Sequence, residues 1–181
     1  MHLCGSATEG PEVTGAPIGF FVPGIPIPKG SARGFPIRRK NGHIGVTVTA
    51  DNPNLRLWHA SVQDRALDVC RRDQISATDA PVSVLCEFYL PAPKKYLKRL
   101  ARGECIPHVT RPDLDKLERA VLDGMTGILF RDDSQVIKKV GTKQYPGPGQ
   151  CVGVWIWVME MGQSPLTPDE MLAEHESSLS R

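Results

Sequence analysis

The chain has 181 residues, 40% of them hydrophobic and 23% charged, with a formal net charge of +2. Length and composition fit one soluble, globular domain with its own core. They exclude a membrane protein, because no apolar run approaches the roughly 20 residues that span a bilayer, and five unpatterned cysteines argue against a disulfide framework.

In chain order, residues 1–17 are rich in small residues, with neither the basic segment nor the apolar stretch of a signal peptide. They are expected to form a flexible tail, and the protein is expected to be cytoplasmic. "IGFFVPGIPIPKG" (18–30) reads as a strand broken by prolines, which belong at a sheet edge or turn. Asn41-Gly42, followed by the alternating "IGVTVT", predicts a β-hairpin with a basic rim of Lys29, Arg33, Arg38 and Arg39. Residues 54–73 repeat Trp58, Val62, Ala66 and Val69 at helical spacing. Asn54 is the expected cap, and Arg71 and Arg72 suit the C-terminal dipole.

Val82, Val84, Cys86, Phe88 and Leu90 alternate strictly and predict a strand over 80–93. The basic run from Lys94 and Lys95 to Arg102 is either a short helix or an arm. "CIPH" (105–108) has no second half to complete a zinc site. A helix is expected from Asp113 or Asp115 to Met125, with Leu117, Val121 and Leu122 inward and Gly124 or Gly127 at its stop. Two strands follow, 134–146 and 150–161, joined by a Pro-Gly-Pro-Gly turn. The 18–161 domain is then α+β, a mixed and mostly antiparallel sheet with two main helices on one face. In the tail, 162–181, Thr167-Pro168-Asp169-Glu170 is a capping-box pattern that can open a short helix.

Charge is unevenly spread. Without the acidic ends, residues 16–160 hold 21 basic and 14 acidic side chains, a balance that suits a polyanion partner. Against that background, "VTRPDLDKLERAVLDGMTGILFRDDSQVIKK" (109–139) places five aspartates within 21 positions. In a helix, side chains two apart diverge, so Asp113 and Asp115 converge only if the helix begins at or between them. Asp132 and Asp133 sit in a turn before a strand. If the two clusters face each other, they form an oxygen cage for Mg²⁺ or Mn²⁺. Lys116, Arg119, Lys138, Lys139 and Lys143 lie near enough in sequence to hold phosphate. An EF-hand fails, because position six of a loop begun at Asp113 is Glu118 rather than Gly. A nucleotide-sugar transferase would need a dinucleotide-type β-α-β unit and a Gly-rich loop, and neither is evident in the sequence.

The array "RPDLDKLERAVLDGMTGILFRDDSQV" followed by Lys, with "VPGIPIPKGSAR" upstream, resembles the RusA family of Holliday-junction resolvases of phages and prophages, over roughly 18–160. The resemblance implies a homodimer that cuts four-way DNA junctions in paired nicks with Mg²⁺ or Mn²⁺. Carried over by motif, Asp113 and Asp115 are the metal pair, Asp133 the third catalytic acid and Asp132 its support. Asp123 matches an acid inside the helix and Lys143 the basic residue of the next strand. Arg119 replaces a family Lys and Lys116 a family Asn. Arg keeps the charge but exchanges a point donor for a planar fork. A catalytically weakened junction binder is therefore the alternative. Lys29, Arg33, Arg38, Arg39, Lys94, Lys95, Lys116 and Lys143 are the expected DNA contacts, with no small-molecule cofactor.

Overall fold

A computed structural model describes residues 16–30, 33–38, 43–49 and 53–162. Arg39, the Asn41-Gly42 turn and the expected tail helix at 167–170 lie outside them. The elements are β1 (Ile18–Pro23), β2 (Arg33–Arg38), β3 (Ile44–Thr49), α1 (Pro53–Asp73), β4 (Val82–Tyr89), α2 (Lys94–Leu100), α3 (Leu114–Met125), β5 (Val136–Gln144) and β6 (Gly153–Glu160), with a 3-10 turn at Asp133–Gln135.

Two sheets result: a four-stranded one in the order β1-β6-β4-β5 and a separate β2-β3 pair. The β1-β6 and β6-β4 pairs are antiparallel and β4-β5 is parallel, so the large sheet is mixed. β1, which carries Pro23, is an edge strand, where a residue without an N–H costs no ladder bond. The hairpin from Arg33 to Thr49 forms in antiparallel register, Arg38 opposite Ile44, but stays out of the main sheet.

Alternation decides which side chains meet. Phe20 lies beside Ile156 and Ile156 beside Cys86, while Val22, Val154 and Phe88 form the next row. These pack in one cluster with Trp58, Val62, Ala66 and Val69 of α1 and Leu117, Ala120, Val121 and Met125 of α3. The alternate residues Leu85, Trp157 and Met159 form a second buried cluster. Central β4 is thus buried on both faces, one under the α1–α3 cluster and the other under the Leu85–Trp157–Met159 cluster.

Several local expectations change. α1 begins at Pro53, which places Asn54 inside the first turn rather than at the cap. The segment 94–100 is a helix, not an arm. β5 and β6, joined by the Pro-Gly-rich turn, do not pair, because β4 lies between them. β4, α3 and β5 also make a parallel β-α-β crossover that the sequence reading did not anticipate. Gly127, at φ 79°, follows the end of α3. Gly124 lies inside the helix, where a Cβ would come within 2.8 Å of Val62 Cγ1, so it serves α1–α3 contact instead. No helix among the described residues is long and apolar enough to cross a membrane.

Candidate active site

β5 shapes the site. Its residues Lys139, Gly141 and Lys143 share the register rows of Val84, Cys86 and Phe88, the side of the sheet on which α3 packs. Three contacts fasten α3 to this ladder. Lys139 Nζ lies 2.6 Å from Glu118 Oε2, and Glu118 is buried. Gly141 leaves the space that the Glu118 carboxylate occupies. Lys143 Nζ donates to the carbonyl oxygens of Thr110 at 2.7 Å and Pro112 at 2.8 Å. Glu118 was not foreseen, although it falls on the apolar stripe of α3, where a carboxylate signals a buried partner.

Asp113 is the N-cap of α3, with extended backbone at φ −71° and ψ 139°. Asp115 is in the first turn. The helix therefore begins between the two aspartates, the condition for their carboxylates to share a side. Pro112 precedes the cap rather than opening the helix, and its bond to Arg111 is cis. An N-cap Asp ordinarily accepts a bond from the second or third helical N–H. Asp113 makes no such bond, and its carboxylate turns to Lys116, 2.8 Å away. The Lys116 hydrogen bond, then its charge, holds the Asp113 carboxyl below the usual range. Asp115 and Arg119 are exposed, and neither enters an ion pair with the described residues.

The second acidic cluster lies elsewhere. Asp132 caps the 3-10 turn: its side chain accepts from Ser134 N–H, and Gln135 returns the capping-box bond. The Ser134 hydrogen bonds lower the Asp132 carboxyl from its ordinary value. Gln135 accepts from the N–H of Arg131 and of Asp132 and donates to the carbonyls of Thr78 and Ala80. This turn adjoins Val136, which pairs with Val82, while Lys143 beside the Asp113 loop pairs with Phe88. The clusters thus sit at opposite ends of β4, about 20 Å apart at a strand's rise per residue. The expected meeting of Asp113 and Asp115 with Asp132 and Asp133 does not occur within one chain. α3 runs away from Asp113, and β5 returns only after the turn that carries Asp133. Among the described residues no group of three or more His, Cys, Asp or Glu is placed to hold a metal.

The donor set still has a chemical preference. Two exposed carboxylates, one of them diverted from capping, fit Mg²⁺, which takes one or two protein carboxylates and keeps waters. They do not make a full protein cage.

The expected DNA contacts divide. Lys94 and Lys95 are exposed on α2, and Lys95 Nζ sits 4.7 Å from the Tyr96 ring centre. Lys29 is paired with Asp123 at 2.6 Å, which gives the helix-interior acid a structural partner. The Lys29 N–H also donates to Lys116 O, lacing the 24–30 segment to α3. Lys116 and Lys143 are engaged as above. Arg33 and Arg38 lie at the two ends of β2. His108, from the Cys-x-x-His motif, is buried against Tyr145 with ring centres 4.8 Å apart. Burial, then the Lys143 charge, lowers its pKa, which favours the neutral ring.

Residues 23–155 match the family model described as Endodeoxyribonuclease RusA. The chain is also 29% identical over 133 residues to the Bacillus subtilis (strain 168) protein YqaN, described as uncharacterized, covering 71% of this chain and 87% of that protein.

Proposed function

The chain belongs to the endodeoxyribonuclease RusA family, and on that premise we propose that it is a structure-selective nuclease. It resolves four-way DNA junctions by paired phosphodiester hydrolysis with Mg²⁺ or Mn²⁺. One observation carries the reading: Asp113, at the cap of α3, leaves its capping bond unmade and keeps its carboxylate exposed, paired with Lys116, two residues before the exposed Asp115. Those two residues would hold the ion. A bound divalent ion lowers the pKa of water and offsets charge on the phosphate.

The chain's own residues do the rest. The N-terminus of α3 favours negative charge, which suits carboxylate ligands, and the Lys116 contact holds the Asp113 carboxyl below its usual range. Arg119, one turn beyond Asp115, presents a planar fork to non-bridging phosphate oxygens. Lys94 and Lys95 on α2 hold the DNA backbone without reading sequence.

The position of Asp133 adds a homodimer to the proposal. At the far end of α3 it cannot complete its own chain's site, so a second copy supplies it. Paired nicks then follow from two equivalent sites related by a twofold axis.

The test is nicking of a synthetic four-way junction. We expect symmetric cuts with Mg²⁺, none in EDTA, and at least a 100-fold loss for Asp115→Asn, about what one essential charged group contributes. Cutting that persists in EDTA or in that variant refutes the mechanism. The Lys116–Asp113 pair favours a second reading, a branched-DNA binder with weakened cleavage. Full junction affinity in Ca²⁺ with no cutting in Mg²⁺ would select it.

A further inference from the structure

We propose that Lys143 is a positioning residue of the Asp113–Asp115 site and not a phosphate contact. The inference rests on the reading of those aspartates as metal holders. Lys143 comes from β5, and its two acceptors lie 33 and 31 residues away along the chain. Both are backbone carbonyls of the segment that runs straight into the cap of α3. One ammonium therefore fixes the residues before Asp113 to the strand beneath α3. Hydrogen bonds from a charged donor are about twice as strong as neutral ones. An ammonium has three protons, and two are committed here. Lys143 is also half-buried, unlike the exposed Lys94 and Lys95. A lysine reserved for phosphate would lose this tie each time it reached for DNA.

Arg differs from Lys in the way the test needs. A guanidinium binds phosphate at least as well as an ammonium. Its flat fork cannot reproduce a point donor held between two carbonyls in a half-buried slot.

Three quantities are measured on the full chain with Lys143→Met and Lys143→Arg. The first is hydrogen exchange at the Leu117 amide, which bonds to Asp113 O at 3.3 Å. The second is Mn²⁺ affinity without DNA, and the third is the salt dependence of junction binding in Ca²⁺. We expect both variants to speed Leu117 exchange and weaken Mn²⁺ binding, each by about tenfold, with the salt slope unchanged. Two results overturn the proposal: Leu117 exchange as in the wild type, or a salt slope reduced by about 0.9 in Lys143→Met, the mark of one lost phosphate contact. If Lys143→Met does not fold, Lys143→Arg decides alone, by retention or loss of Leu117 protection. An Asp113→Asn control separates the two readings. If it binds Mn²⁺ like the wild type, the metal assignment fails, while Leu117 exchange still judges the tie.

Discussion

If Asp113 holds a divalent cation as proposed, its pairing with Lys116 sets how firmly. The ammonium at 2.8 Å engages one of the two Asp113 carboxylate oxygens, for which an ion would have to compete. The pair is solvent-exposed, so its own strength is modest, but it competes at every encounter. Lys116→Asn should tighten Mn²⁺ binding by about two- to fivefold, read by titration of free Mn²⁺ with the DNA-free protein. The Lys116 contact depresses the Asp113 carboxyl, so that carboxyl stays charged through the neutral range. The gain should therefore be equal at about pH 6 and about pH 8. An unchanged affinity would show that Lys116 moves aside without cost. Gln135 makes the opposite kind of contact, four bonds with no charge. Gln135→Ala leaves two carbonyls and two N–H groups to find water. It should cost about 2–4 kcal/mol in urea unfolding, and a loss below about 0.5 kcal/mol would mark the turn as dispensable. Some of this was legible in advance. Asp132-x-x-Gln135 is a capping box by spacing alone, yet an acid beside an acid also suggests a metal. Only the Ser134 bond shows that Asp132 is occupied in capping.

Helices and strands were recognisable from periodicity, their neighbours less so. The face of α1 follows directly from Trp58, Val62, Ala66 and Val69, all buried. Pairing is a different matter. The Pro-Gly turn between β5 and β6 looks like a hairpin connection, but nothing local says that β4 separates them. That insertion depends on long-range burial of Val84, Cys86 and Phe88, which alternation shows to be apolar without showing what covers them. The α1–α3 contact is similar, and it turns on Gly124. A Cβ there meets Val62 Cγ1 at 2.8 Å and Cβ at 2.9 Å, atoms too near the backbone to swing away. Ala improves helix propensity by about 1 kcal/mol, while overpacking costs about 1–3 kcal/mol. Overpacking should win, so Gly124→Ala is expected to lose about 1 kcal/mol in thermal or urea unfolding. Adding Val62→Ala should remove the Cγ1 clash but leave the Cβ one, so the pair should be partly non-additive. Additive losses would place the strain elsewhere.

At the scale of the molecule, the basic body and the acidic stretch belong to one arrangement. Residues 16–160 carry an excess of positive charge, which draws a polyanion in from any direction. The aspartates proposed to meet phosphate are split between the two ends of α3. The sequence shows both clusters plainly, but their distance depends on α3 and β5 running in opposite senses, and no motif records that. The split has a consequence for assembly. If each site takes Asp113 and Asp115 from one copy and Asp133 from the other, Asp113→Asn and Asp133→Asn are each inactive as pure dimers. In a mixed dimer, one site loses both acids and the other keeps all three. Co-refolding the two inactive variants should therefore restore nicking. With random pairing about half of the dimers are mixed, each with one working site, so activity should approach a quarter of wild type. The product should be a junction nicked on one strand rather than two, separable on a denaturing gel. If every site draws its acids from a single chain, every chain in the mixture carries a defect and no activity returns. Co-refolded variants that stay inactive, while each still dimerises and binds junctions, would rule out the shared site.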